Sequence, residues 1–294
     1  MIESIPAQHP GEHERLLAVK KSILSGEQYA ASAFVESGNL IHQYRIEAGD
    51  KVVYFFGSPH VNDVGNGVFN EITEAFEEVQ PQRVMVEGMH ALHNRERVLD
   101  HLEHMTREEA QALGEPMYTL KLGAEHVALG EDVDFESPEP KLSDELNYLE
   151  DLGFEREDIF KYYYYRDIDQ YFRTHIQRTH ESLVEYLAPY IEHFKTDSGW
   201  DEMECARYLD NMDANINLTE NRYASLVDPI PWPDKNWTLT NDIASKSSRF
   251  RDEYILERIT KALERQDRIF VVYGSGHAVV LEPALRALME DLQS

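Results

Sequence analysis

Two stretches of this chain repeat one design: an apolar run, then Gly, Ser, a variable residue and His. The first is VVYFFGSPHV at 52–61 and the second is IFVVYGSGHA at 269–278. Short runs of β-branched and aromatic residues closed by glycine read as strands buried on both faces. Such strands belong to sheets covered by helices. A glycine at the strand exit permits a tight turn and lets another group approach the backbone, and the carboxyl ends of strands are where α/β folds gather ligands. The repeat therefore predicts an α/β core with a mixed sheet, in which two strand ends bring His60 and His277 together.

The rest of the chain fits around these strands. NLIHQYRIE at 39–47 and VVYFF at 52–56 flank Ala48-Gly49-Asp50, a turn signal, and predict a hairpin. In VFNEITEAFEEV, Val68, Ile72, Ala75, Phe76 and Val79 fall at helical spacing before Pro81, and RVMVEG follows as a buried strand. This strand–helix–strand order is a crossover unit. Residues 95–122 read as helical pieces broken at Gly114 and Pro116, leading to EHVALGED at 125–132, read as a further strand. The acidic, proline-rich DFESPEPKLSDE marks a loop and a boundary. Long helical periodicity runs from about Glu155 to Phe194, carries the tetrad YYYY at 162–165, and meets an expected interruption at Pro189. Residues 200–212 are amphipathic, 228–237 must be irregular for their prolines, and the chain closes as helix, strand and helix. LLAVKKSILS near the start reads as a short helix that decorates the domain. Three parts result: a first α/β half at 1–140, a largely helical insertion or cap at 141–240, and a second α/β half at 241–294 that completes the core.

Of 294 residues, 42% are hydrophobic and 11% aromatic, enough to bury a core and too many for a disordered chain. Against 28 Lys and Arg stand 55 Asp and Glu, a formal charge of −27. Affinity for phosphates and anionic lipid is built from basic patches, so nucleic acid and membrane surfaces are not expected as partners. No run approaches the roughly 20 apolar residues that span a bilayer. The opening MIESIPAQHPGEHERLLAVKKS lacks a charged segment followed by an apolar one, so a cytoplasmic chain is expected. Cys205 is the single cysteine, which excludes an internal disulfide and a cysteine-rich zinc module, and within DEMECARYLD it reads as a packed helix position.

The chemistry concentrates at strand ends. Glu87 ends VMVE and Glu131 ends VALGE; a carboxylate at the end of a buried strand calls for a hydrogen bond, an ion pair or a metal. Two histidines with one or two carboxylates suit a borderline divalent ion such as manganese, cobalt or zinc. His60, Glu87 and His277 are thus the expected ligands, with Glu131 as a further ligand or general base. The competing uses are helix caps and turns for the histidines and salt bridges for the glutamates. Arg249 and Arg251 lie in SSRFRDEYI, at the head of the helix before the last strand. Arg251, followed by Asp252, offers a planar fork for a developing oxyanion, or else a surface salt bridge. HExxH, the P-loop and GxGxxG are absent, and GSGH at 274–277 is not a nucleophile elbow, so Ser275 serves the turn. His90, His93, His101 and His104 have helical spacings but polar neighbours, and read as a solvated face.

With these residues in place, the chain resembles the TraB/TIKI group of the erythromycin-esterase/ChaN-like superfamily. The resemblance rests on GSPH with His60, VMVEG with Glu87, SRFRDEYI with Arg251 and Asp252, VVYGSGH with His277, and LGAEHVALGED with Glu131, over about 50–135 and 240–290. It implies a duplicated α/β core with a shared cleft. It also implies members that act as metal-dependent proteases, macrolide esterases or peptide-pheromone shutdown factors, and haem binding among ChaN relatives.

Together these point to hydrolysis of an amide or ester bond in a peptide or small molecule. His60, Glu87 and His277 would hold a divalent ion that activates water, and Arg251 would stabilise the oxyanion. A metal-free variant has His60 deprotonate water while a glutamate orients it. The alternative from another class is a binding protein that sequesters a peptide or a haem-like ligand. A third is a scaffold, with homo-oligomers formed through the tyrosine-rich helical region.

Overall fold

The computed structural model describes residues 10–88, 95–175, 177–210, 216, 218–232 and 235–293. The chain divides into two compact units, Met1–Glu139 with Asp252–Ser294 and Pro140–Arg251. The boundary after the helical part falls inside helix Leu239–Leu263 and not at residue 240.

The first unit is mixed α/β. Its strands are β1 (His42–Ala48), β2 (Lys51–Ser58), β3 (Arg83–Val86), β4 (Asp134–Glu136) and β5 (Arg268–Gly274), in the sheet order β1-β2-β5-β3-β4. β1 pairs antiparallel with β2, and every other pairing is parallel. The β1–β2 hairpin closes through Gly49-Asp50, with Gly49 at φ 62°, the positive φ that a two-residue hairpin loop requires. On β1, buried Tyr44, Ile46 and Ala48 alternate with exposed residues, as on an edge strand with one wet face, whereas β5 is buried from Ile269 to Gly274. The chain's last strand is therefore the central one, laid between β2 and β3.

Alternate residues of the central strands feed two cores. Val53, Phe55, Val271 and Tyr273 pack with Ile255, Ile259, Leu281 and Leu285, while Phe56, Phe270, Val272, Val84 and Val86 pack with Phe69, Ile72, Phe76, Leu120 and Leu122. Helices thus cover both faces. Val19 and Ile23, near the first described helix, Pro10–Lys20, belong to the first core, so this segment is built into the fold. Helix Gly67–Val79 begins at Asn66, whose side chain accepts from the Val68 N–H, and ends at Gln80, at φ 47° and just before Pro81.

One expected strand is not there. Residues 125–132 form the last turn of helix Glu115–Ala128 and the turn after it, and the strand is instead β4, inside the segment read as a loop. Leu, Ala and two Glu stand in that stretch, and these favour helix locally. Gly123 on this helix lets it lie against β4, because a Cβ there would sit 2.5 Å from the Phe135 ring.

The second unit is helical: Leu142–Asp151, Arg156–Thr174, His180–Asp197, Glu202–Asp210, Tyr223–Leu226 and the start of Leu239–Leu263. The long helical stretch breaks near 175–179, where His175 is extended and Thr179 caps the next helix; Pro189 lies inside that helix. Tyr162 and Tyr163 are buried in one core, and Tyr164 and Tyr165 pack against both cores of the unit. Cys205 is buried among them, as its helical context predicts. Asp228 organises the irregular segment by accepting from Ile230 N–H, Trp232 Nε1 and Lys235 Nζ. Among the described residues no helix is long and apolar enough to cross a membrane.

Candidate functional site

β2, β5 and β3 are neighbouring parallel strands, so their carboxyl ends form one edge of the sheet, and each is followed by a residue singled out from the sequence. His60 lies just past β2, Glu87 directly follows β3, and His277 stands in the first turn of helix Ser275–Gln293, which begins where β5 stops. The two Gly-Ser-x-His copies leave the sheet differently. After Ser58 the chain enters a loop at Pro59, whereas Ser275 already opens a helix.

Each motif glycine makes room for the other motif. A Cβ on Gly57 would lie 2.5 Å from the Ala278 Cβ and 2.9 Å from the Ser275 Cα, in the second copy's helix. A Cβ on Gly274 would lie 2.7 Å from His60 Nε2. The repeat therefore records mutual packing of two strand exits.

Glu87 is the centre of the cluster. Its Oε2 accepts a hydrogen bond from the Gly274 N–H at 2.7 Å, at the start of helix Ser275–Gln293, where unpaired amides and the helix dipole favour an anion. His60 Nε2 stands 3.9 Å from Oε2 of Glu87, and His277 Nε2 stands 3.9 Å from its Oε1. Both imidazoles thus turn the same nitrogen toward one carboxylate, at ion-pair range and beyond hydrogen-bond length.

The histidines are held differently. The His277 side chain is 17% exposed, and its Nδ1 is 2.6 Å from Oδ1 of the buried Asp252. Asp252 holds the Nδ1 proton, so in the neutral ring Nε2 carries the lone pair on the side of Glu87. Its ring also stands edge-on to Tyr273, whose hydroxyl donates to Glu139 Oε1 at 3.3 Å. The His60 side chain is 61% exposed. Its backbone is left-handed at φ 61°, a conformation that costs an L-residue about 1–2 kcal/mol and must be held by its surroundings.

The donor chemistry fits a divalent ion: two imidazole nitrogens, one carboxylate, and a carboxylate behind one imidazole, as metal-ligating histidines commonly have. His60, Glu87 and His277 would hold it. As placed, no group of three such side chains among the described residues is close enough to hold a metal.

The other sequence candidates fall elsewhere. Glu131 is not at a strand end, because the expected strand is a helix terminus. It pairs with His126, with Glu131 Oε2 2.7 Å from Nδ1, while Glu77 Oε1 is 3.3 Å from Nε2. Glu131 precedes β4, and β4 runs parallel to β3, so it stands toward the amino edge of the sheet, opposite Glu87. Arg251 is half-buried on helix Leu239–Leu263, one residue before Asp252, and is the last residue of the second unit. His101 and His104 are exposed, as on a solvated face; His90 and His93 lie outside the described residues.

Sequence reasoning named Asp252 as a neighbour of Arg251 and as part of the motif that carries the resemblance, gave it no role, and overlooked Glu115, Tyr273 and Glu139. The apolar Tyr273 environment and the helix-opening Glu115-Pro116 read as structure alone. No family model matches the chain, and neither a curated protein nor a solved structure matches it.

Proposed function

We propose that this protein is a hydrolase that cleaves an amide or ester bond with metal-activated water, and that it stands close to the TraB/TIKI group. The observation that carries the reading is the Glu87 carboxylate facing Nε2 of both His60 and His277, with Asp252 behind the second. A bound manganese, cobalt or zinc ion would lower the pKa of a water toward neutrality. Asp252 keeps His277 in the tautomer that offers Nε2. Glu87, whose Oε2 accepts from the Gly274 N–H, is the group that takes a proton from the attacking water. Glu87 then returns that proton to the leaving group, while His60, the most exposed of the three, meets the substrate side. Arg251 of SSRFRDEYI, a planar fork of donors, is the residue proposed for the oxyanion. A peptide or a small ester or amide is the substrate class, and a cytoplasmic location, which a single buried cysteine suits, belongs to the same proposal.

A metal-free variant has one observation in its favour: the histidines stand 3.9 Å from Glu87, a distance a single water can bridge. In that variant His60 deprotonates the water that Glu87 orients. The deciding measurement is elemental mass spectrometry of untagged, chelator-free protein and of a folded His60→Ala/His277→Ala variant, alongside hydrolysis of peptide and ester panels. Near-stoichiometric transition metal in the wild type alone, with turnover lost in the variant, is expected. Turnover without metal after incubation with manganese, cobalt and zinc selects the metal-free route. Neither metal nor turnover, with a peptide or haem bound, would make it a sequestering protein.

A further inference from the structure

We infer that Glu115 is a positioning residue that fixes His60, an inference that rests on His60 being part of the proposed site. Glu115 is 1% exposed, at the first residue of helix Glu115–Ala128, where the helix terminus favours a carboxylate. Its Oε1 accepts a hydrogen bond from the Val61 N–H at 2.8 Å, the peptide group immediately after His60. His60 is the residue in the loop that holds a left-handed backbone without being glycine, and a conformation of that kind persists where neighbouring contacts over-determine it. The next peptide group is also approached from the helix side, since a Cβ on Gly114 would stand 3.6 Å from the Val61 carbonyl oxygen.

A second tie acts on the same loop. The Gly65 N–H donates to Gln111 Oε1 at 2.9 Å, from the short helix that precedes Gly114. The loop between β2 and helix Gly67–Val79 is thus anchored at two backbone amides by side chains of one helical junction. His277 needs no such device, because it rides on a helix and is held by Asp252. The carboxylate buried at Glu115 is for His60 what Asp252 is for His277: one acts on the imidazole, the other on the backbone that carries it.

The test compares Glu115→Ala, which removes the acceptor, with Glu115→Gln, which keeps an Oε1 that can accept from Val61. Two readouts are taken on the full-length protein: the ¹H–¹⁵N spectrum with amide exchange at Val61 and the His60 imidazole resonances, and a titration with Co²⁺ followed by its visible absorption. Glu115→Ala should release the Val61 amide to fast exchange, shift the His60 resonances, and weaken Co²⁺ binding by at least about tenfold, the size typical of losing an outer-shell partner. Glu115→Gln should stay within about threefold of the wild type. If Glu115→Ala does not fold, Glu115→Asp, which retracts the oxygen, is read in the same way. Unchanged Val61 and His60 signals in a folded acceptor-less variant overturn the inference. So does an equal loss of Co²⁺ in Glu115→Gln and Glu115→Ala. If the wild type takes no Co²⁺, the metal reading fails by itself and the resonances alone decide the role of Glu115.

Discussion

Gly57 and Gly274 occupy matching places in the two strand-exit motifs, yet the same substitution should act on them in opposite ways. At Gly57 a new Cβ meets the His42 carbonyl oxygen at 2.6 Å and the Ser275 Cα at 2.9 Å, both backbone atoms that cannot step aside. Gly57→Ala should therefore cost about 1–3 kcal/mol, the usual range for overpacking. At Gly274 the nearest atoms are the far ends of two side chains, His60 Nε2 at 2.7 Å and Glu87 Oε2 at 3.4 Å. Gly274→Ala should move the His60 imidazole, leave stability within about 1 kcal/mol of the wild type, and reduce metal content or turnover sharply. Urea unfolding and elemental analysis of the two variants check the pair; matching effects on stability and site would contradict it. At this scale the sequence is most readable where a side chain must explain itself. His60, Glu87 and His277 are polar residues at the ends of apolar strands, and they converge on one edge. Glu115 left no such trace, because its link is to a backbone amide in a distant loop, which no residue pattern encodes.

His126 shows how elements are joined. It lies in the last turn of helix Glu115–Ala128, with Glu77 of helix Gly67–Val79 at one ring nitrogen and Glu131 of the following turn at the other. Both nitrogens can donate only when the ring is charged. Burial is the largest single influence on His126 and pulls its pKa down, but hydrogen bonds and charge from Glu131 and Glu77 together outweigh it, so the pKa stands above its ordinary 6.5. A raised histidine pKa contributes stability that is full below about pH 6.5 and is lost as pH rises through the raised value. The stability gap between the wild type and His126→Gln should accordingly narrow as pH climbs through that window. Salt should shrink it too, because both carboxylates are about half exposed. A gap that stays flat or widens over the same range refutes the clamp. The same neighbourhood explains the misread element. A valine and several helix-forming residues in EHVALGED pass for a strand when only the terminal acidic pair is weighed, whereas the burial of Tyr118 through Ala124 belongs to a helix packed on the sheet. The hairpin, β2, β3, β5 and helix Gly67–Val79 were legible because their apolar periods are unbroken. β4 was not, since its three residues sit among prolines and acids.

Across the whole molecule, the order in which the chain builds its sheet sets how it can fail. β2 and β3 are joined through helix Gly67–Val79 but are not neighbours; the place between them is filled by β5, from the last stretch of the chain. Ile269, Phe270, Val271 and Val272 of β5 are fully buried, and each such side chain contributes about 1.5–3 kcal/mol by burial. Four of them approach the whole stability of a domain, about 5–15 kcal/mol, before the lost ladder bonds to β2 and β3 are considered. Ending the chain after Asp267 should therefore abolish folding of the first unit and expose the apolar faces of β2 and β3. The second unit draws both of its cores from residues within Pro140–Arg251, so its helices have no need of β5. The truncated chain should keep helical circular dichroism and one cooperative melt, bind a hydrophobic dye, and lose both metal and turnover. A truncated protein that still protects the amides of β2 and β3 from exchange would show that the sheet stands without its central strand. A complete loss of helicity would show that the second unit depends on the first for its fold.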